Sequence, residues 1–331
     1  MEPASRRPGG SLRRAQASVR LEPRQSLSLR PGRGIVRPLS TSPGESGPTR
    51  SEAVPSLSTK LIPPGMLNVI KRSPALYAVG RKARFALGSR LGARPVAGIG
   101  RAHYNDFMLT STAPDRVASY MTGARQFVDI LEAALKEAGR DWDSVGRALE
   151  IGCGYGRIVR ELSRRLPGER IAVCDVIDEG ARFTASEFGA TKVPVMEQAA
   201  VKPSATYDLI YLLSVYTHLP RDFVVSNLRD VARALKPGGV AVFTIHGQGS
   251  AETAERYEQY WLDKPAVLNA MAQDGYYYAR YPYYTDEYGL TWFTKDAVAR
   301  LVAEAAPELE PVSYRPMQLD AHQDVFVYRK R

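Results

Sequence analysis

The segment from residue 147 to residue 157 constrains the fold more than any other part of the chain. It reads Arg-Ala-Leu-Glu-Ile-Gly-Cys-Gly-Tyr-Gly-Arg, so a short apolar run ends in an acid, three glycines follow at alternate positions, and a helical pattern begins at once. A strand, a glycine turn and a helix in this order build a nucleotide pocket at the carboxyl ends of the strands of an open α/β sheet. Glycines are needed because the turn is tight and the ligand approaches the backbone without meeting a Cβ atom.

The spacing of the glycines indicates which nucleotide binds. A dinucleotide fingerprint requires its third glycine at position 157, but Arg157 stands there and Gly156 comes one residue early. Glu150 would repel a pyrophosphate, whereas it suits a ligand with a cationic end, such as the amino-acid part of S-adenosylmethionine. Residues 170–175 form a second apolar run, which ends in Asp175 nineteen residues after Gly156. An acid at this distance is typical of ribose binding, in dehydrogenases as well.

Two later segments extend the pattern. Residues 207–220 read Tyr-Asp-Leu-Ile-Tyr-Leu-Leu-Ser-Val-Tyr-Thr-His-Leu-Pro, and residues 235–247 read Leu-Lys-Pro-Gly-Gly-Val-Ala-Val-Phe-Thr-Ile-His-Gly. In their order and spacing, the four segments resemble the class I S-adenosylmethionine-dependent methyltransferases, whose fourth and fifth strands the two later segments match. The resemblance extends from about residue 116 to residue 331 and is closest to bacterial enzymes that act on small molecules.

The resemblance implies a set of cofactor-binding residues. In the family, an acid before the glycines lies beside the methionine end of the cofactor, an acid after the second strand holds the ribose, a residue just after the third strand contacts adenine, and backbone at the mouth of the fourth strand meets the methionine moiety. Met196 and Gln198 are further adenine candidates, and Asp175 has an alternative role as the N-cap of the next helix. The expected cofactor-binding residues are Glu150, Gly152, Cys153, Gly154, Gly156, Asp175, Val176, Glu197 and Ser214.

Catalysis leaves little trace in a sequence of this kind. The sulfonium is already an activated methyl donor, so the main task of the protein is to position a nucleophile, and a hydroxyl or amine acceptor can also need a base. His218 and His246 follow the fourth and fifth strands and are the candidate bases, with packing or helix capping as the alternative. His103 and His322 lie outside this interpretation. No cluster has the spacing of metal ligands, so no metal is expected.

Strands alternate with helices through the core, which predicts a doubly wound, mostly parallel α/β sheet with right-handed crossovers. Two strand-like segments near the C-terminus, 309–314 and 324–328, fit the antiparallel hairpin that the family adds to this Rossmann-like sheet. Apolar periodicity predicts helices at 117–138, 155–166, 178–188 and 222–235, and a short third strand at 193–196.

Composition divides the chain into three parts. Residues 1–64 are basic and rich in Pro, Ser and Arg, which predicts disorder, with a transit peptide or a translation start at Met66 as alternatives. Residues 65–115 are predicted to form a basic helical arm or linker, and residues 116–331 the methyltransferase domain. Between residues 66 and 94 apolar residues alternate with positive charges. We expect this stretch to dock on its own domain, and the alternative is a helix lying on a partner or an anionic membrane surface.

An aromatic insertion follows the fifth strand, around residues 251–293. Seven tyrosines fall between positions 276 and 288. In the family, insertions here form a lid over the acceptor, and tyrosines can stack on a flat acceptor while offering hydroxyls. The alternative is a tyrosine-rich hairpin that only packs on the domain.

Charge and the remaining motifs bear on the partner. The net charge of +10 arises in residues 1–104, which carry nineteen basic residues against four acids, whereas residues 105–331 carry twenty-six against thirty-one. This acidic balance argues against a nucleic-acid surface on the domain. Residues 214–221 contain neither an Asn/Asp-Pro-Pro-aromatic motif, as in DNA amino-methylating enzymes, nor the paired glutamates of protein arginine methyltransferases.

These observations predict a cytoplasmic methyltransferase that transfers the methyl group of S-adenosylmethionine to oxygen or nitrogen of a small molecule. The chain has no apolar run long enough for a membrane span, and its two cysteines are expected to pack as free thiols. A macromolecule methyltransferase and a non-catalytic binder of the cofactor are the alternatives.

Overall fold

The computed structural model describes residues 73–195, 205–254, 257–260, 262–284 and 287–331. The segment 1–64, for which the sequence predicts disorder, lies outside these ranges, as do residues 65–72. The helices of the described part are α1 (Pro74–Leu91), α2 (Pro114–Glu137), α3 (Arg157–Leu162), α4 (Asp178–Phe188), α5 (Arg221–Ala234), α6 (Gln248–Thr253), α7 (Lys264–Asp274) and α8 (Lys295–Ala305). The strands are β1 (Ala93–Val96), β2 (Gly100–His103), β3 (Ala148–Ile151), β4 (Ile171–Cys174), β5 (Thr191–Lys192), β6 (Tyr207–Leu212), β7 (Leu235–Ile245), β8 (Tyr276–Arg280), β9 (Gly289–Phe293), β10 (Leu309–Leu319) and β11 (Gln323–Lys330).

A seven-stranded sheet forms the centre of the domain, in the order β5-β4-β3-β6-β7-β11-β10. Strands β3 to β7 are parallel, β11 pairs antiparallel with β7, and β10 pairs antiparallel with β11. The predicted fold class, with its antiparallel C-terminal hairpin, is therefore confirmed. The strand order reverses between β3 and β6, and ligands of such sheets bind at this switch point, outside the carboxyl ends of the strands.

Helices cover both faces of the sheet, which explains why β3, β4 and β6 are buried throughout and, apart from Glu150 and Asp208, carry no charged residue. Helices α2 and α3 pack on one face and α5 and α8 on the other. Cys153 and Cys174 are free and buried in these two cores, as predicted.

Several predicted elements differ in their bounds from the structure, and two of these differences have a clear cause. Helix α3 begins after residue 155 because Gly156, at its N-cap, has a left-handed φ of 80° and belongs to the preceding turn, and it ends at Leu162 rather than at residue 166. Strand β5 lies at Thr191–Lys192 rather than 193–196, because pairing with Ala172 and Val173 of β4 sets its register.

The segment before α2 is packed on the domain. Strands β1 and β2 form an antiparallel hairpin, and its apolar side chains join α2 in a small buried cluster of Val96, Ile99, Ala102, Leu109, Val117, Tyr120 and Met121. The guanidinium of Arg160 in α3 donates to the backbone carbonyls of Ile99 and Arg101. This hairpin therefore holds the C-terminal end of α1 close to α3.

Candidate active site

The glycine turn between β3 and α3 lies at the carboxyl edge of the sheet. Gly152, Gly154 and Gly156 have φ angles of 80°, 50° and 80°, a region that residues with a Cβ atom rarely adopt. A Cβ atom on Gly152 would lie 2.5 Å from Val215 Cγ2, and one on Gly156 would lie 2.6 Å from Phe188 Cε2. A Cβ atom on Gly154 would meet no atom within 4 Å. Packing therefore requires the outer two glycines, whereas the middle one borders open space from which a ligand can reach the backbone.

Asp175 links the glycine turn to the end of β4. Its Oδ2 accepts a hydrogen bond of 2.7 Å from the Gly154 N–H, and its Oδ1 accepts one of 2.7 Å from the Ile177 N–H. Burial raises the pKa of the Asp175 carboxyl, against the effect of the two hydrogen bonds. The N-cap of α4 is Ile177, not Asp175. Each carboxylate oxygen keeps a second acceptor position, and the neighbouring Val176 is 76% exposed.

Glu150 lies beneath the turn and is only 2% exposed. The hydroxyl of Tyr211 donates to its Oε2 at 3.0 Å. Burial raises the pKa of the Glu150 carboxyl well above its usual range, and the negative charge of Asp175 adds to this effect. Burial therefore favours the neutral carboxylic acid, and a cationic group nearby would favour the ionised carboxylate.

Ser214 stands at the end of β6 with a left-handed φ of 56°. Its N–H donates to Thr244 Oγ1 at 2.8 Å, and Gln323 Nε2 donates to its Oγ at 2.7 Å. Thr244 Oγ1 in turn donates to Gln323 Oε1 at 2.7 Å. These bonds hold a strained backbone position at the switch point. Neither Thr244 nor Gln323 is among the residues predicted from the sequence.

The two candidate bases lie near each other, with ring centroids 6.4 Å apart. His218 Nδ1 is 2.7 Å from the carbonyl oxygen of Gly289, and His246 Nδ1 is 3.2 Å from that of Thr291. A carbonyl oxygen only accepts, so Nδ1 carries the proton in both neutral rings and Nε2 keeps its lone pair. Both imidazoles therefore have the tautomer in which Nε2 can accept a proton.

His218 and His246 differ in how deeply they are buried, and burial affects how well each imidazole could serve as a base. Burial lowers the pKa of the His246 imidazole to about 3, and the neighbouring His218 and His322 contribute to this shift. Burial also lowers the pKa of His218, but its side chain is half-buried, whereas His246 is 6% exposed. A base is most effective when its pKa lies near the working pH, so a value near 3 makes His246 a weak base.

Two further histidines, which the sequence analysis left aside, lie close to this edge. The ring of His322 lies 4.9 Å from that of His246, because β11 begins beside the end of β7. The predicted C-terminal hairpin was the available signal, since an antiparallel neighbour of the fifth strand starts where that strand ends. His103 stacks on Tyr155 of the glycine turn at 4.7 Å. Nothing in the local sequence around His103 indicates this contact.

A family of methyltransferase domains matches residues 121–305, more than half of the chain. The chain belongs to this family. It is an enzyme, an S-adenosylmethionine-dependent methyltransferase, and the cofactor inferred from its glycine spacing is that of the family. No curated protein matches the methyltransferase.

Solved structures resemble the methyltransferase in fold. An S-adenosylmethionine-dependent methyltransferase from Methanosarcina mazei is 18% identical, and the match covers 56% of this chain and 92% of that one with a TM-score of 0.41. A family 2 O-methyltransferase from Planctomyces limnophilus, in complex with apigenin, is 19% identical, with coverages of 63% and 56% and a TM-score of 0.43. A glycopeptide N-methyltransferase in complex with S-adenosyl-L-homocysteine is 13% identical, with coverages of 64% and 87% and a TM-score of 0.42.

The tyrosine-rich segment of the methyltransferase forms a hairpin whose turn reaches the histidines. Strands β8 and β9 pair antiparallel. In the connection between them, Tyr288 stacks on His218 with ring centroids 4.8 Å apart, and Tyr281 lies 6.2 Å from the same imidazole. The hairpin thus packs on the domain and also places aromatic rings against His218. Residues 285 and 286 lie outside the described ranges.

Helix α1 of the methyltransferase spans from the tyrosine hairpin to the glycine turn. At one end Arg81 donates to the hydroxyl of Tyr284, and the ring of Tyr77 lies 4.7 Å from that of Tyr283. At the other end Asn105 donates to the carbonyl of Phe85 at 3.0 Å and to Glu179 Oε2 at 2.9 Å. The Tyr155 hydroxyl also donates to Glu179 Oε2, at 2.7 Å. The helix therefore crosses the edge of the sheet at which the site lies.

The adenine candidate Glu197, with Met196 and Gln198, lies outside the described residues. Within the described ranges, no group of three or more His, Cys, Asp and Glu side chains is arranged to hold a metal ion. None of the helices described has the length and apolar character that a membrane span requires.

Proposed function

We propose that the methyltransferase acts on oxygen or nitrogen of a small-molecule acceptor. The observation that carries this proposal is that segments of the same chain cover the candidate base. Tyr288 stacks on His218, and Tyr284, which lies 5.1 Å from Tyr288, is contacted by Arg81 of α1. Because the tyrosine hairpin and α1 both cover this side of His218, the base is accessible to a compact acceptor, whereas a nucleic acid or folded protein needs an open groove. The aromatic rings also suit an uncharged, planar or sugar-like acceptor.

The cofactor-binding roles are part of this proposal. We assign the ribose hydroxyls to the remaining acceptor positions of Asp175, and the methionine ammonium group to the neighbourhood of Glu150. The open space at Gly154 lets the cofactor approach the backbone of the turn, where Gly152, Cys153 and Gly156 lie. The exposed Val176 offers an apolar contact for the nucleoside, and the backbone of Ser214 borders the methionine moiety.

Bound in this position, S-adenosylmethionine supplies a methyl group that its sulfonium already activates. The protein orients the acceptor and, where the acceptor is a hydroxyl or ammonium group, accepts its proton. We assign this proton to Nε2 of His218, because Nδ1–H is held by the Gly289 carbonyl and because the lowered pKa keeps the ring neutral near pH 7. His246, buried behind it, has a positioning role through its packing against His218.

A labelling experiment tests the class of acceptor. The full chain is incubated with methyl-labelled S-adenosylmethionine and a cell extract, and the products are divided by ultrafiltration into small molecules and macromolecules. We expect label in the small-molecule fraction, and much less with His218→Gln. His322→Gln is the control, because it removes a ring near His246 but not the proposed base.

The opposite distribution of label would contradict the proposal. Label confined to the protein or nucleic-acid fraction, in amounts that depend on His218, would identify a macromolecule methyltransferase. The structural reason for expecting a compact acceptor would then be wrong, and the covering layers would have to open.

A further inference from the structure

The large apolar side chains that the domain exposes are concentrated on α1. Of the nine such residues in the described part of the chain, five belong to this helix: Leu76, Val79, Phe85, Leu87 and Leu91, which are 44% to 66% exposed. Two more, Phe107 and Met108, lie in the loop that follows β2 and are 57% and 49% exposed. Scattered apolar residues are normal on a protein surface, but a contiguous patch marks an interaction site.

Helical geometry places most of these side chains on one face. At about 100° per residue, Leu76, Val79, Leu87 and Leu91 fall within an arc of roughly 120°. A different side of α1, centred about 120° from the middle of this arc, carries Tyr77, Arg81 and Gly88, which contact the domain. The four aliphatic residues therefore form an outward-facing stripe, and the helix is fixed to the enzyme by its other side.

Basic residues border this stripe. Helix α1 contains Arg81, Lys82, Arg84 and Arg90 and no acid. Lys82 and Arg84 fall on either side of the aliphatic arc and Arg90 lies within it. In the described part of the chain, none of these three forms an ion pair or a side-chain hydrogen bond. The outer face thus combines apolar side chains with cations that have no acidic partner among the described residues.

We propose that the outward face of α1 binds the surface of an anionic lipid bilayer. An apolar stripe flanked by Lys and Arg is the pattern of helices that lie in the plane of the membrane interface. A second protein chain would require acids placed opposite the three cations, whereas an anionic bilayer offers negative charge in every direction along its surface.

Vesicle sedimentation tests this proposal on the full chain. The two probes are vesicles of phosphatidylcholine and vesicles of phosphatidylcholine mixed with phosphatidylglycerol. We expect binding to the mixed vesicles, weaker binding at high salt, and little binding to phosphatidylcholine alone. Because each cation near an anionic surface contributes roughly a fivefold factor to partitioning, Lys82→Gln with Arg84→Gln is expected to lower it by about 25-fold. Leu87→Ser with Leu91→Ser is expected to lower it at both salt concentrations.

Control variants match these changes elsewhere on the domain. Phe223→Ser alters another exposed apolar residue, which is 40% exposed, and Arg229→Gln with Arg300→Gln removes two exposed charges. Neither is expected to change the partitioning by more than about twofold, because membrane attraction falls off within a Debye length. All four variants alter exposed side chains, so their melting temperatures should stay close to that of the unchanged protein.

Three results would overturn the proposal. The first is the absence of binding to the mixed vesicles. The second is binding that the α1 variants leave unchanged, which would assign the lipid contact to another part of the chain. The third is a dimer in light scattering that Leu87→Ser with Leu91→Ser converts to a monomer, which would make the stripe an interface between two copies of the chain.

Discussion

Replacing the middle glycine of the turn separates ligand binding from folding. Gly154 has a φ of 50° and no atom within 4 Å of a Cβ position. Alanine in a left-handed conformation costs about 1–2 kcal/mol, and a domain of this size loses roughly 2–4 °C of melting temperature per kcal/mol. Gly154→Ala is therefore expected to melt about 2–8 °C lower. Its methyl group enters the space that we assign to the cofactor, so affinity for S-adenosylhomocysteine is expected to fall at least about tenfold, which corresponds to about 1.4 kcal/mol.

Two other glycines provide matched controls. Gly189, at the C-cap of α4, has a φ of 66° and equally open surroundings. Gly189→Ala is therefore expected to lower the melting temperature as much as Gly154→Ala does, but to leave the affinity for S-adenosylhomocysteine unchanged. At Gly156, with a φ of 80°, the new Cβ atom would also lie 2.6 Å from Phe188 Cε2 and 3.0 Å from Thr184 Oγ1. Overpacking adds about 1–3 kcal/mol, so Gly156→Ala is expected to be the least stable of the three.

Differential scanning fluorimetry and calorimetry with S-adenosylhomocysteine measure the two effects, with binding recorded well below each melting temperature. The reasoning would be refuted if Gly154→Ala bound the ligand as tightly as Gly189→Ala. Equal affinity would mean that the open space at Gly154 faces solvent and that the cofactor approaches the sheet elsewhere.

Three further predictions concern the acid and the histidines. Asp175→Ala removes a charged acceptor and is expected to weaken binding of S-adenosylhomocysteine roughly ten- to a hundredfold in calorimetry. Asp175→Ala should also lower the melting temperature, because two backbone N–H groups lose their partner. Asp178→Ala, on the exposed start of α4, is the control and should change neither the affinity nor the melting temperature much. Equal effects of the two substitutions on affinity would argue against the ribose assignment. His218→Gln is expected to reduce methyl transfer about 10²- to 10⁴-fold with cofactor affinity unchanged, and loss of affinity without loss of turnover would remove it as the base. For His246, the pKa in the folded state is about 3, below the value of about 6.5 in the unfolded state. The unfolded chain therefore binds a proton more readily than the folded one below pH 6.5, and the resulting destabilisation of the fold increases as the pH falls towards 3. Between neutral pH and about pH 4.5, the free energy of unfolding of His246→Asn should therefore fall by about 3 kcal/mol less than that of the unchanged protein. Urea denaturation at both pH values measures this difference. The same pH dependence in both proteins would show that this histidine is protonated in the folded state at the lower pH.

The local signals in the sequence were sufficient for the architecture and the cofactor. Strand and helix periodicities depend on neighbouring residues, so the alternating elements could be read directly. A glycine turn with left-handed φ angles is likewise a local requirement, and Gly152, Gly154 and Gly156 all show it. Bounds were less predictable: strand β5 follows its pairing with β4, a partner that lies outside any local window.

The assembly of the candidate active site depended on contacts between distant parts of the chain. Gln323 reaches Ser214 across 109 positions, because β11 inserts beside β7 in an antiparallel register that no local pattern specifies. Arg81 meets Tyr284 across 203 positions, so only the folded chain shows that α1 lies over the tyrosine hairpin. The lowered pKa of His246 likewise arises from burial among side chains of several elements. Sequence alone determined the alternation of strands and helices and the glycine turn, since these follow from local backbone geometry. Tertiary packing decided how deeply each histidine is buried and which side of α1 faces outward, because burial and facing are properties of the whole fold.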